Sequence, residues 1–206
     1  MSNFSFEQVN EIYFDVLKEI GNIGAGNATT AISQMLNIRL DMKVPQVKLL
    51  TFQELGTAIS AEDDTIAGIY LEVGTDISGS MMFLLTMESA HFLVNSLMGR
   101  DAGYAGEFTE MDLSALIEIG NIISGAYLSA LSALTQLKIS KSVPFLSIDM
   151  AAAILSVPAI QFGQYGDNAL LIETEFGDDV KINGFFILLP ELDSYDKILT
   201  SLGISL

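Results

Sequence analysis

Apolar residues recur at helical spacing in two long stretches of the chain, from residue 9 to residue 35 and from residue 113 to residue 123. Ser5 and Gln8 form a capping-box pattern before the first stretch, and residues 109–112, Thr-Glu-Met-Asp, open the second. In a capping box, the side chains at the N-cap and three residues later bond the first free N–H groups of a helix. The two stretches therefore predict two long amphipathic helices.

Three glycines, Gly21, Gly24 and Gly26, fall inside the first of these helices. Each weakens a helix by up to about 1 kcal/mol relative to alanine. Their small size either allows a neighbouring element to pack closely or marks a bend. The sequence leaves both alternatives open.

Shorter apolar runs predict strands after each long helix. Each half of the chain reads as a long helix, a strand that carries a proline, a short helical connection, two further strands and a closing helix. The predicted strands cover residues 42–51, 66–73, 78–86, 142–148, 169–176 and 181–189, the short connections 52–61 and 150–160, and the closing helices 88–98 and 193–202, with a linker at 99–106.

The two halves repeat one another at a fixed offset. The pentapeptide Glu-Ile-Gly-Asn-Ile at residues 19–23 returns at residues 118–122, ninety-nine positions later. The same offset joins Pro45 to Pro144. A constant offset of this kind indicates a duplicated structural unit, so any site in this protein is expected twice.

The duplication also predicts the fold class. Two copies of this unit around one core give an α/β (α+β) sandwich with pseudo-twofold symmetry, in which long helices pack on a shared, largely antiparallel sheet. Half of the residues are apolar, which is enough to build such a core. We expect one domain, residues 1–206, made of two repeats at about 5–98 and 109–202.

A polar stripe runs along each predicted long helix, because positions i, i+4 and i+7 lie on one side of a helix. The stripe residues are Asp15, Glu19 and Asn22 in the first half and Ser114, Glu118 and Asn121 in the second. Val16, Leu17, Ile20 and Ile23 are assigned to the opposite, apolar side, so the stripe should face solvent. A single stripe of this kind is most simply an ordinary solvated helix face. Its duplication argues for a function.

The stripe residues form an incomplete catalytic set. An asparagine amide neither gains nor loses a proton near neutral pH, but it can hold a water by donating and accepting hydrogen bonds. A glutamate can pair with a lysine or accept a proton. No nucleophile is evident, and His91, the only histidine, is predicted to be an ordinary helix residue. Such a site suits a substrate that brings its own phosphoryl group, metal and lysine, so that the enzyme needs only to position a water.

Charge and composition narrow the classes of partner. The net charge is −17, from 26 acidic and 9 basic residues, which disfavours binding to nucleic acid or anionic lipid. The chain has no cysteine, its N-terminus does not resemble a signal peptide, and its longest uninterrupted apolar runs have the length of strands. We therefore expect a cytoplasmic protein that does not insert into a membrane.

The repeated motif resembles the signature of a known family. Asp or Ser, three residues, Glu, two residues, Asn, twenty-two residues and Pro describe both copies, Asp15-Glu19-Asn22-Pro45 and Ser114-Glu118-Asn121-Pro144. This pattern is similar to that of the CheC/CheX/FliY family of chemotaxis response-regulator phosphatases, and the likeness covers essentially the whole chain. Two motifs without an additional flagellar switch domain are typical of the CheC-type branch.

The resemblance implies an enzyme that hydrolyses the aspartyl phosphate of the response regulator CheY. It implies that Asn22 and Asn121 orient the attacking water, and that Glu19 and Glu118 contact a conserved lysine of the regulator. The regulator supplies Mg²⁺, so we expect no cofactor of the chain's own. The roles of the other motif positions are less defined: they stay open for Asp15 and Ser114 and are expected to be structural for Pro45 and Pro144.

The family also implies a second partner, the deamidase CheD, which adjusts the phosphatase activity. The segment 148–155 carries one charge, Asp149, among apolar and small residues, whereas its counterpart at 51–58 is more polar. Two alternatives follow. Either the segment is buried in the fold, or it is exposed and contributes Asp149 to the binding of CheD.

Two other functions fit parts of the sequence. A non-catalytic adaptor could bind CheD and the regulator through the same duplicated scaffold. A metal-dependent hydrolase would use the many acidic residues, but these are scattered without the spacing of metal ligands.

Overall fold

The structure is a computed structural model that describes residues 11–36, 41–44, 46–162, 168–176 and 182–203. Within these ranges the helices are α1 (Glu11–Leu36), α2 (Phe52–Ile59), α3 (Met87–Met98), α4 (Glu110–Thr135), α5 (Ala151–Phe162) and α6 (Leu192–Ser201). The strands are β1 (Met42–Lys43), β2 (Val47–Thr51), β3 (Thr65–Thr75), β4 (Gly79–Thr86), β5 (Ile139–Lys141), β6 (Phe145–Met150), β7 (Asn168–Phe176) and β8 (Ile182–Pro190). The same order of elements occurs twice.

These strands join in one antiparallel sheet. Their order is β1-β7-β8-β4-β3-β5, with β2 also beside β7 and β6 also beside β3. Exchanging each strand for its counterpart in the other half reverses this order, which is the behaviour of a twofold axis between β4 and β8. Because β2 pairs with β7 and β6 pairs with β3, each half completes the sheet of the other. The predicted duplicated sandwich with a shared antiparallel sheet is confirmed.

The sheet is covered on both faces. On one face, Phe83 of β4 and Phe186 of β8 stack at 4.6 Å between ring centroids, in the core that lies under α1, α3, α4 and α6. On the other face, Leu55 of α2 and Ile154 of α5 belong to a second core. Double coverage explains why β4 is buried along most of its length instead of alternating between buried and exposed positions. The second layer of helices adds to the predicted architecture.

The strands that carry a proline differ from the prediction. Two short strands, β1 and β2, replace the single strand expected at 42–51. The strand expected at 142–148 begins only at Phe145, as β6, and a break separates it from β5, which was not predicted. A proline has no N–H to donate to a neighbouring strand, so a continuous ladder is disfavoured around it. Pro144 lies in the second break, and Pro45 falls outside the described residues.

Helix α4 begins where the sequence predicted, and a capping box is present there. The Thr109 hydroxyl accepts a hydrogen bond from the Asp112 backbone N–H at 3.3 Å, and Asp112 Oδ2 accepts one from the Thr109 N–H at 2.9 Å. Arg100 donates to the same carboxylate from Nη1 at 3.0 Å. This network around the buried Asp112 carboxylate fixes where α4 begins. The box expected at Ser5 and Gln8 falls outside the described residues.

Gly24 allows α1 and α4 to pack closely. A Cβ atom at this position would lie 2.9 Å from Tyr127 Cα, whereas one at Gly26 would meet nothing within 4 Å. Helix α1 is continuous from residue 11 to residue 36. Of the two alternatives for the glycines, close packing is therefore the right one at Gly24. The contact places the two helices with the polar stripes side by side.

Helix α4 is long and apolar enough to cross a membrane by length and composition alone, a feature that the survey of uninterrupted apolar runs did not detect. Half of its most apolar 18-residue window is buried inside the fold. Leu116, Ile119 and Ile123 belong to the core beneath the helix. These are the properties of a core helix.

Candidate active site

The two polar stripes lie on the outer sides of α1 and α4. Glu19 and Glu118 are exposed, and Asn22 and Asn121 are half-buried. Ile20, next to the first glutamate, is buried in the core, so apolar packing sets the rotation of the helix and turns the Glu-x-x-Asn positions outward.

Ile23 differs from the prediction, because it is 37% exposed instead of lying on the buried side. The physical reason is its spacing: it stands four residues after Glu19 and therefore shares the outer face of α1. An apolar side chain thus flanks the polar pair of the first half.

The Asn22 amide is held by a backbone group. The Val44 N–H, from the segment between β1 and β2, donates to Asn22 Oδ1 at 3.0 Å. An N–H needs an acceptor, so this bond fixes the oxygen of the amide inward and leaves Nδ2 pointing away. The amide keeps two N–H donors and one lone pair, which is enough to hold a water.

The equivalent amide in the second half is held by a side chain. The Lys141 ammonium, at the end of β5, donates to Asn121 Oδ1 and also lies 3.3 Å from the backbone oxygen of Asn121. Asn121 Nδ2 lies 3.5 Å from Glu118 Oε2. Burial lowers the pKa of Lys141, and the Glu118 carboxylate opposes this shift. The amide oxygen is again engaged, and the amide nitrogen faces the glutamate.

The remaining motif positions are not equivalent in the two halves. Asp15 is exposed. The Ser114 hydroxyl donates to the Glu110 backbone oxygen at 2.9 Å, within its own helix. Pro144 is half-buried between β5 and β6.

Two residues of this arrangement, Val44 and Lys141, were not among the predicted site residues. The repeat contained a signal for both: Val44 coincides with Val143 at the offset of ninety-nine, and the counterpart of Lys141 is Met42. A basic residue that appears in only one copy, in a chain with 9 basic residues, marks a difference between the two sites.

A second exposed region lies on β6 and α5. Phe145 and Met150 are 67% and 50% exposed, and Asp149 is exposed directly before Met150 at the end of β6. Phe145 and Asp149 border a groove of about 290 Å³, which is also lined by Gly68, Tyr70, Met82, Ser147, Ala153, Ile154 and Val157. Of the two alternatives for the segment 148–155, exposure holds at Asp149, while Ile154 is buried.

The other side chains that could bind a metal ion do not cluster with one another in the described part of the chain. His91 lies in α3 as predicted, with its ring stacked on Phe108 at 4.3 Å between centroids. Among the residues for which the structure gives positions, no three His, Asp or Glu side chains gather into a group that could hold a metal ion. What each Glu-x-x-Asn pair offers is one carboxylate and one oriented amide, which can contact a cation and direct a water.

The fold is shared with solved structures of FliY and of the FliM middle domain. The structure of Thermotoga maritima FliY superposes with a TM-score of 0.78 at 22% identity and covers 95% of this chain and 98% of that one. The FliM middle domain from H. pylori superposes with a TM-score of 0.70 at 13% identity and covers 94% and 99% of the two chains. At these identities, the likeness establishes the fold alone.

Sequence comparison establishes the family. The profile of the CheC-like family matches residues 14–49 and 111–148, which contain the two motifs. The chain is 38% identical over 207 residues to the CheY-P phosphatase CheC of Bacillus subtilis, covering 98% of this chain and 99% of that protein. It is 28% identical over 139 residues, 67% of this chain and 36% of the relative, to the flagellar motor switch phosphatase FliY of the same organism. The protein belongs to the CheC-like family.

Proposed function

We propose that this protein is a phosphatase that hydrolyses the aspartyl phosphate of the response regulator CheY. The observation that carries the proposal is the duplicated Glu-x-x-Asn pair on an exposed helix face, with each asparagine oxygen engaged in a hydrogen bond. The full-length relative named CheY-P phosphatase gives the substrate. The FliY relative, also named a phosphatase, supports the same reaction.

In the proposed mechanism, Asn22 and Asn121 each hold the attacking water in line with the phosphorus–oxygen bond of the aspartyl phosphate. Glu19 and Glu118 contact a lysine of the regulator and so fix the position in which the regulator binds. The water attacks phosphorus, the bond to the aspartate oxygen breaks, and inorganic phosphate leaves. Neither site needs a nucleophile of its own, because phosphoryl transfer of this kind depends on positioning and charge stabilisation.

The metal in this reaction is proposed to be Mg²⁺ bound by the regulator. Each stripe of this chain contributes one glutamate, whereas Mg²⁺ sites combine several oxygen ligands in octahedral geometry. Isothermal titration of the isolated protein with Mg²⁺ should give no stoichiometric binding, and hydrolysis should stop when the mixture with phosphorylated CheY is treated with a chelator. A tight one-to-one isotherm with the protein alone would instead favour a metal-dependent hydrolase.

The region on β6 and α5 is proposed to bind CheD. Asp149 is exposed beside Phe145 and Met150, so a partner could combine apolar contact with one fixed charge. Asp149→Lys should weaken CheD binding in a calorimetric titration, while basal hydrolysis stays near normal because the residue lies outside both stripes. Glu107→Lys, which reverses an exposed charge on the segment before α4, is the matched control. Equal affinities in all three proteins would remove Asp149 from the interface.

The protein is proposed to act in the cytoplasm, where its partner would be found. Its net charge of −17 disfavours nucleic acid and anionic lipid as partners.

The decisive experiment measures the decay of phosphorylated CheY with and without the protein, in the presence of Mg²⁺. Faster decay at substoichiometric protein is the expected result, since an enzyme turns over. Binding to CheY without faster decay would favour the adaptor function instead. The double variant Asn22→Ala with Asn121→Ala is the control that separates catalysis at these sites from a contaminating phosphatase.

A further inference from the structure

The two sites engage the same atom with different donors. In the first half, Asn22 Oδ1 accepts from the backbone N–H of Val44 at 3.0 Å. In the second half, Asn121 Oδ1 accepts from the ammonium of Lys141. The donors come from the same segment of the repeat, at the residues that follow the long helix. The engaged amide oxygen is thus common to both sites, although the donor has changed.

The change of donor accompanies a change in the segment itself. Val44 is 2% exposed, whereas Val143, its counterpart, is 86% exposed. The second segment therefore does not bury its valine as the first one does. At the position of Lys141 the first half has Met42, whose thioether has no N–H or O–H to donate.

Lys141 is held in place on several sides. Its backbone pairs with Val73 across the β5–β3 ladder. Its side chain passes close over α4, since a Cβ atom at Gly125 would lie 3.4 Å from Lys141 Cε. Its ammonium donates two hydrogen bonds to Asn121, one to the side chain and one to the backbone oxygen. Glu118 is exposed and stays available to a partner.

We propose that Lys141 is a positioning residue of the second site, which orients the Asn121 amide as the Val44 N–H orients that of Asn22. The inference rests on the proposed function. It makes the two sites chemically distinct: the first depends on a backbone N–H that only a proline at that residue would remove, whereas the second depends on one side chain.

The test compares variants in which only one site works. In an Asn22→Ala background, Lys141→Met should lower kcat for phosphorylated CheY about tenfold, the scale of one lost charge-assisted hydrogen bond, and leave KM within about twofold. Lys141→Arg should retain most of the kcat, because guanidinium N–H groups also donate. In an Asn121→Ala background, Lys141→Met should change neither constant, which is the matched control.

A structural readout accompanies the kinetics. In ¹⁵N spectra of the protein without substrate, the side-chain NH₂ resonances of Asn121 should shift in Lys141→Met, while those of Asn22 stay in place and circular dichroism is unchanged. These resonances also distinguish a local effect from misfolding, because a misfolded variant would shift the resonances of both amides.

The outcomes separate this inference from the proposed function. If Asn22→Ala hydrolyses phosphorylated CheY but Lys141→Met in that background has the same kcat, Lys141 does not position the amide. A higher kcat would also overturn the inference, because the ammonium would then be blocking the site. If neither the wild type nor Asn22→Ala accelerates decay and the Asn121 resonances still move, the proposed function fails and the contact stands.

Discussion

At the scale of single residues, the asparagine amide is the group whose orientation matters most. An amide that rotates freely can turn either its oxygen or its nitrogen toward a substrate. The amide oxygens of Asn22 and Asn121 are each held by a hydrogen bond. The arrangement is formed before any substrate binds. Pre-organisation of this kind lowers a barrier because no reorientation is needed during the reaction.

Removing either amide should therefore affect only its own site. Asn22→Ala and Asn121→Ala should each lower hydrolysis at the altered site about 100-fold, the usual scale for one positioned transition-state group. Each single variant keeps substantial activity through the other site, and the double variant falls close to the uncatalysed decay. The rate at which phosphorylated CheY decays with each variant, followed by stopped-flow or quenched-flow methods, measures these effects. A double variant with a native circular dichroism spectrum and a wild-type rate would contradict the assignment.

The sequence was sufficient to predict that Glu19, Asn22 and their counterparts lie on the outer sides of α1 and α4, because helical spacing and the repeat need no tertiary information; their catalytic role stays a prediction. It was not sufficient for Val44 and Lys141. These residues lie 22 and 20 positions from the asparagines that they contact, so their contacts depend on how the following segment returns to the helix. The offset of the repeat locates the segment but does not determine which of its donors reaches the amide.

The carboxylate that fixes the start of α4 predicts a dependence on pH. The hydrogen bond from Arg100 lowers the pKa of Asp112 in the folded protein. A lowered folded-state pKa adds stability above the unfolded-state pKa of about 3.9, and this contribution is lost as the pH falls through the folded-state value. Asp112→Asn should therefore lower Tm at pH 7, and the difference from wild type should shrink as the pH is lowered below about 4. A constant difference across a thermal-melt pH series would contradict this.

At the scale of elements, the sequence predicted most helices and strands well, because their apolar periodicity survives in the fold. The strand predicted at 42–51 was wrong in its continuity and the one predicted at 142–148 was wrong in its start, because a proline cannot donate to a ladder even when the residues around it form strands. The second layer of helices could not be predicted from the sequences of α2 and α5 alone. Short apolar segments become buried only where another face is available, and that face is formed by strands from both halves.

The packing of α1 on α4 gives a matched pair of glycine substitutions. Gly24→Ala should lower the free energy of unfolding by about 1–3 kcal/mol, because the new methyl group would stand 2.9 Å from the Tyr127 backbone. Gly26→Ala should raise it by up to about 1 kcal/mol, since the position is open and alanine favours a helix. Urea titrations followed by circular dichroism measure both. Equal effects of the two substitutions would show that helix propensity, and not the α1–α4 contact, determines the result.

At the scale of the whole molecule, the exchange of strands ties the halves together. Strand β2 of the first half pairs with β7 of the second, β6 of the second pairs with β3 of the first, and β4 pairs with β8 at the centre. The two helices with the stripes also pack on each other across Gly24. A half on its own would lack the partner strands at one edge of its sheet and at its centre. We infer that the repeats form one folding unit, as the domain prediction proposes.

This inference predicts a single cooperative unfolding transition. In differential scanning calorimetry, the wild type should show one peak in which the calorimetric and van't Hoff enthalpies agree, the criterion for two-state unfolding. Gly24→Ala, a change in α1 of the first half, should move the entire peak to lower temperature, because β7 and β8 cannot stay folded without β2 and β4. Two independently folding halves would behave differently: the peak would split, and only the part that belongs to the first half would move.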